Sequence, residues 1–157
     1  MLSRSFALAA IFFALIQSTN VSSGRAQQLT PDQKQVVNAV DTLFAAARTD
    51  DLAKFDSVVT PDFYIFDGGA RFSGEAIMAL IKSEHAAGKR YEWNVTDPDV
   101  HINGETAWVA YVNKGNITDA AGTKNQQWLE SAFLVKQSGR WKIAFMHSTR
   151  VPPPPKS

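Results

Sequence analysis

Two residues near the end of the chain, Glu130 and His147, have the types and spacing for proton chemistry. Residues 126–136 and 140–150 both alternate with period two, and Gln137-Ser138-Gly139 between them is a tight-turn signal. A two-residue Ser138-Gly139 loop sets Glu130 directly across from His147. A carboxylate beside an imidazole orients it as a base or activates water. The plainer alternative is a cross-strand salt bridge contributing about 0.2–1 kcal/mol.

The other histidines, His85 and His101, make no HxH or HxxxH pattern, so no metal site is expected. The absence of cysteine removes thiolate ligands and nucleophiles. His85 falls late in a helix, exposed and favourable to its C-terminus, whereas His101 follows a break at Asp97-Pro98, near a pocket mouth or in solvent. Trp93, Trp108, Trp128 and Trp141 lie in strands, where they either line a pocket for a flat apolar ligand or fill core and interface. Tyr64 precedes the turn Asp67-Gly68-Gly69, and Arg71 follows it, placed to fix a ligand carboxylate or to sit solvated in a loop. The candidate ligand contacts are therefore Tyr64, Arg71, Trp93, His101, Trp108 and Trp128. No Gly-rich phosphate loop or GxSxG elbow occurs, and no cofactor is expected.

The elements that must position these groups are readable. Thr30-Pro31-Asp32-Gln33 starts a helix, and Val36, Val40, Leu43, Phe44 and Ala47 recur at helical spacing to about Arg48. Residues 51–59 form a short second helix, and residues 63–66 a short strand running into the Asp67-Gly68-Gly69 turn. Ser73-Gly74-Glu75 opens a third helix with Ile77, Leu80 and Ile81 as its buried stripe. From Tyr91 the pattern becomes strands, interrupted at Asp97-Pro98, turned at Asn103-Gly104 and at residues 119–122, and closed by residues 140–150. Helices followed by a meander of about four long antiparallel strands define an α+β domain.

Residues 1–26 stand apart. Arg4 precedes an unbroken apolar stretch over 6–16, and Gly24-Arg25-Ala26 ends in the small residues of a signal-peptidase site, so cleavage is expected after Ala26. The alternative, a membrane anchor, needs a longer apolar run. The expected organisation is a signal peptide over 1–26, one domain over 27–151 and a stiff Pro-rich tail over 152–157. The product is exported, periplasmic or secreted, with no membrane attachment after cleavage. Losing Arg4 and Arg25 leaves 14 basic residues against 15 acidic ones, interspersed, which excludes a nucleic-acid stripe.

Three passages resemble the SnoaL-like branch of the nuclear transport factor 2 (NTF2-like) superfamily: the first helix running into Arg48-Thr49-Asp50-Asp51-Leu52, the stretch from Phe63 through Phe72-Ser73-Gly74-Glu75, and the closing 139–148. The resemblance implies a cone in which three helices pack on a strongly bent, mainly antiparallel sheet around a pocket, commonly dimerised through the outer sheet face. It does not imply one activity. By similarity to ketosteroid isomerases, Asp67 matches their general base, a carboxylate just inside an apolar pocket with a raised pKa; alternatively Asp67-Gly68 simply forms the turn. Their tyrosine falls on Leu43 and their acidic oxyanion donor on Ser131, so the resemblance places Ser131 in the pocket while leaving the oxyanion machinery unmatched. The hairpin register puts Glu130 and His147 on the face opposite Ser131. Three functions follow as expectations: binding of a small apolar or aromatic molecule, a proton-transfer enzyme (isomerase, cyclase or dehydratase) using Asp67, or a homodimeric assembly module whose sheet face carries Trp128 and His147.

Overall fold

The computed structural model describes residues 28–152; the expected leader and the last five residues of the Pro-rich tail lie outside them. Helices α1 (Pro31–Arg48), α2 (Leu52–Asp56) and α3 (Gly74–Ala86) accompany seven strands: β1 (Val59–Asp67), β2 (Ala70–Ser73), β3 (Arg90–Glu92), β4 (Val95–Asn103), β5 (Thr106–Asp119), β6 (Gly122–Gln137) and β7 (Arg140–Arg150). The sheet runs β2-β1-β7-β6-β5-β3, with β4 also on β5. Neighbours are antiparallel except β1 and β7, which run parallel. The sheet is open and curved, and the helices pack on its concave side.

Local chemistry explains the boundaries. Thr30 and Gln33 close a capping box at α1, with Pro31 in the first turn where no amide is missed. Asp51 and Ser73 cap α2 and α3 through their side-chain oxygens. The N-terminus of α1 is tied to the β6–β7 hairpin by Asp32, whose carboxylate accepts from Trp141 Nε1 and Lys136 Nζ, both at 3.0 Å. Val36, Val40, Val109, Leu134, Ile143 and Met146, all fully buried, join the helices to the sheet. Gly115 lets β3 and β5 approach: a β-carbon there would stand 1.7 Å from the Glu92 carbonyl oxygen.

Several expectations shift. Residues 70–73, expected within a loop, pair with β1 as β2, because two positive-φ glycines, Gly68 and Gly69, make a tight hairpin turn. The first long strand is divided into β3 and β4, and the interruption expected at Asp97-Pro98 is an irregularity in register between Thr96 and Asp99, with Asp97 at φ 53°. His85 is buried rather than exposed, its Nδ1 2.8 Å from Asp50 Oδ1. The buried stripe of α3 is Ile77, Met78 and His85, whereas Leu80 is 40% exposed.

The decisive difference is in the last hairpin. Its turn is as expected, Gln137 opposite Arg140, but the register slips between Phe133 and Leu134. Leu134 faces Ile143 and Phe133 faces Phe145, leaving Ala144 as an extra residue in β7. Beyond the bulge every side chain changes face relative to a regular strand. Trp141 and Ile143 point inward, and so do Met146 and Ser148; Phe145 and His147 point outward.

Candidate functional site

A cavity of about 290 Å³ lies between the helices and the concave sheet face. Leu43, Phe44 and Ala47 of α1, Phe55 of α2, and Ile77, Leu80 and Ile81 of α3 supply its apolar roof. The sheet supplies successive rungs. The innermost is Val109, Ala132, Met146 and Ile65, one residue from each of four strands, of which Met146 and Ile65 reach the cavity. The outermost is Asn113, Trp128 and Arg150. Between them lies a polar rung: Tyr111 opposite Glu130, and Glu130 opposite Ser148. Phe66 pairs with His147, so Asp67 follows one step on, at the level of Ser148.

Glu130 is 7% exposed. Ser148 Oγ donates to its Oε1 at 2.8 Å and Asn113 Nδ2 to its Oε2 at 3.0 Å. Asn113 is fixed in turn, because its Oδ1 accepts the Asn94 backbone N–H at 2.8 Å. Burial pushes the Glu130 carboxyl above its ordinary range, against the hydrogen bonds that favour its charge, and the Asp67 carboxylate adds to the rise. Asp67 is half-buried and is raised by the same desolvation, opposed by the positive field of Arg150 and a backbone hydrogen bond at Gly68. Tyr111, wholly buried beside Glu130, is raised well above an ordinary phenol by burial and then by that carboxylate, toward which its hydroxyl lies without reaching full hydrogen-bond geometry. At the mouth, Glu84 pairs with Lys89 and accepts from Tyr91 Oη at 3.3 Å, while Tyr91 and Trp93 stack at 5.2 Å. Two carboxyl groups of raised pKa in one apolar cavity can hold a polar group of a bound molecule or exchange protons with it.

The structure divides the candidates from sequence between two faces. Asp67, Glu130, Trp93 and Trp128 line the cavity. Tyr64, Arg71, His101, Trp108, Ser131 and His147 lie on the outer face. Glu130 and His147 do not oppose each other, because the Ala144 bulge brings Ser148 to Glu130 and His147 to Ser131. Ser131 therefore faces away from the cavity, and the inward position beside it belongs to Glu130. Trp128 and His147 likewise occupy opposite faces. The outer face carries its own pattern: His101, Trp108, Phe133, Phe145 and Tyr64 are consecutive partners across five strands. His101 and Trp108 stack at 3.9 Å, and Arg71 covers Tyr64 at 4.1 Å. Tyr111, Asn113, Ser148 and Arg150 were not singled out in the sequence. Their inward parity on β5 and β7 is the signal that finds them once the bulge is known. Among the described residues no three His, Cys, Asp or Glu side chains converge as a metal site would require.

Residues 36–153 match the SnoaL-like domain, and the chain belongs to that family. No curated protein matches it by sequence. Its fold is shared with the association domain of C. elegans CaMKII, at 24% identity and a TM-score of 0.63 over 75% of this chain and 95% of that one. An NTF2-like protein from Cytophaga hutchinsonii matches at 14% identity and 0.65, over 78% of this chain and all of that one. A ketosteroid isomerase-like protein from Erwinia carotovora atroseptica matches at 15% and 0.63, over 80% and 100%.

Proposed function

We propose that the protein is an exported SnoaL-like domain that holds one small, mainly apolar molecule in its cavity. The observation that carries this reading is the Asp67–Ser148–Glu130 rung set in a mainly apolar wall whose other charged residues are Glu84, Lys89 and Arg150. An apolar enclosure with a few convergent polar groups is the general form of a small-molecule site, and about 290 Å³ stands at the small end of the range. Export rests on the apolar stretch over 6–16 and the Gly24-Arg25-Ala26 cleavage signal. Native mass spectrometry of the protein recovered from its own host tests both parts. The expected spectrum shows a chain beginning at Gln27 with a retained mass that leaves on denaturation. An uncleaved chain removes export, and repeated recovery of an empty chain that takes up no apolar probe removes the ligand reading.

A second reading, self-association through the outer sheet face, has its own support. Trp108, Phe133, Phe66 and Leu129 are each at least 40% exposed and share that face, an apolar surface that water covers poorly. The similarity of fold to a CaMKII association domain accords with it. The oligomer is tested by analytical ultracentrifugation of wild type and a Phe133 variant.

A further inference from the structure

Glu130 is a buried carboxylate provided with hydrogen-bond donors but with no cation. Ser148 Oγ and Asn113 Nδ2 both donate to it, and Asn113 cannot turn over because its Oδ1 is engaged by the Asn94 amide. Tyr111, on the adjacent strand directly opposite, brings a third donor, a buried hydroxyl beside the Glu130 carboxylate that does not close a full hydrogen bond to it. A donor on each carboxylate oxygen favours the ionised form of a carboxyl group. Burial opposes that form, and proteins ordinarily resolve the conflict with a basic side chain against the carboxylate. Among the described residues, no Lys, Arg or His comes within 4.0 Å of Glu130; the ion pairs that do form lie elsewhere. What Glu130 faces instead is the cavity.

The charges around the cavity point the same way. Asp67 on β1, Glu84 on α3 and Glu130 on β6 face Lys89 and Arg150. Lys89 is committed to Glu84. Asp67 and Glu130 are then balanced within the cavity lining by Arg150, which is exposed on the outermost rung, and Asp67 more weakly by His147 from the outer face. The Asp41 carboxylate on α1 adds negative potential at Tyr111. An anion reaching the polar rung meets two carboxylates at close range. A cation meets the same two carboxylates and the aromatic walls of Trp128, Trp93, Phe44 and Tyr91, whose π faces attract positive charge.

Resting on the reading of the cavity as a small-molecule site, we propose that its occupant is an organic amine, its ammonium group paired with Glu130 and flanked by Asp67, its apolar body against the aromatic wall. The missing counter-ion of the buried carboxylate is supplied by the ligand.

The test uses three probes of one shape that differ in charge: cyclohexylmethylamine, cyclohexylmethanol and cyclohexanecarboxylate. Binding near neutral pH is read from tryptophan fluorescence, since Trp93 and Trp128 line the cavity, and confirmed by calorimetry. The amine is expected to bind at least about tenfold more tightly than the alcohol, with the carboxylate weakest. E130Q keeps the side-chain shape and is expected to abolish the preference for amine over alcohol while retaining alcohol binding. Should E130Q not fold, Asp67→Asn and the wild-type series still decide, the former reducing the preference in part. Alcohol or carboxylate binding as tightly as amine overturns the proposal and leaves the small-molecule reading intact, as does an amine preference unchanged in E130Q. Failure of all three probes to bind overturns both.

Discussion

Ser148 on β7 stands directly opposite Glu130 on β6, and its hydroxyl donates to the Glu130 carboxylate at 2.8 Å, both side chains being buried. The contact exists because Ala144 is an extra residue in β7. Ser148→Ala leaves one oxygen of a buried carboxylate without its donor and is expected to destabilise the fold by about 1–3 kcal/mol. Urea unfolding measures the loss. A variant as stable as wild type would show that the hydroxyl contributes nothing to holding Glu130.

The raised Glu130 gives stability a particular pH dependence. Burial holds the folded-state pKa above the ordinary value of 4.5, so the folded chain takes up this proton at a higher pH than the unfolded chain. The resulting stabilisation is absent well above the folded value, grows as pH falls through it, and is complete below the unfolded value. Asp67 acts in the same direction. Asp32 acts in the opposite one, its carboxylate being held low by the Trp141 indole and then by Lys136, and its contribution is lost only on the acid side of 3.8. Above 4.5, where Asp32 contributes a constant amount and the raised carboxyl groups take up their protons, mild acid is expected to raise the melting temperature of wild type more than that of E130Q. Parallel melting curves for the two proteins would contradict the assignment.

Gly115→Ala tests how closely the strands approach at the cavity mouth. The new β-carbon would stand 1.7 Å from the Glu92 carbonyl oxygen, which is backbone and cannot rotate aside. Overpacking of this kind costs about 1–3 kcal/mol where neighbours can yield, and more where they cannot. Detachment of β3 is expected, carrying Tyr91 and Trp93 with it, so both the melting temperature and the tryptophan emission should change. Wild-type emission in the variant would show that β3 tolerates the shift.

Phe133→Asp places a charge in the middle of the outer aromatic row without touching the cavity wall. If that face joins two copies, the variant is expected to sediment as a monomer at concentrations where wild type does not, with its thermal unfolding of the isolated chain little altered. An unchanged oligomer, or a wild type that is itself monomeric, counts against association through this surface.

Much of the architecture was readable because it is written in local signals. The Thr30 cap, the helical spacing of Val36, Val40 and Leu43, and the Ser138-Gly139 turn each act over a few residues. The site was less readable because its geometry hangs on one bulge. From Trp141 to Met146 both parities of β7 are apolar, Lys142 excepted, so alternation cannot reveal where the strand changes face. The regular register therefore paired Glu130 with His147, while the inward placement of Ser131 came from the isomerase resemblance. One additional residue at Ala144 re-pairs Glu130 with Ser148 and sends His147 outward beside Ser131. Asp67 was identified by resemblance and does line the cavity, whereas Arg71, only four residues later, lies across the outer face, because two glycines turn the chain back into β2.

The parallel pairing of β1 with β7 has a consequence for how the chain assembles. β1 is laid down early, and one of its two neighbours, β2, follows after a tight turn; its other neighbour is the last strand, more than 75 residues downstream from Val59 to Ile143. The remaining antiparallel strands can zip from local turns as they appear, but this junction must close a long loop before any contact compensates for it. The cavity wall that carries Asp67, Ser148 and Glu130 crosses that junction. The polar rung is thus completed only by the final long-range closure, and a chain stopped before β7 has the helices and the meander but neither the sheet's continuity nor its full cavity wall.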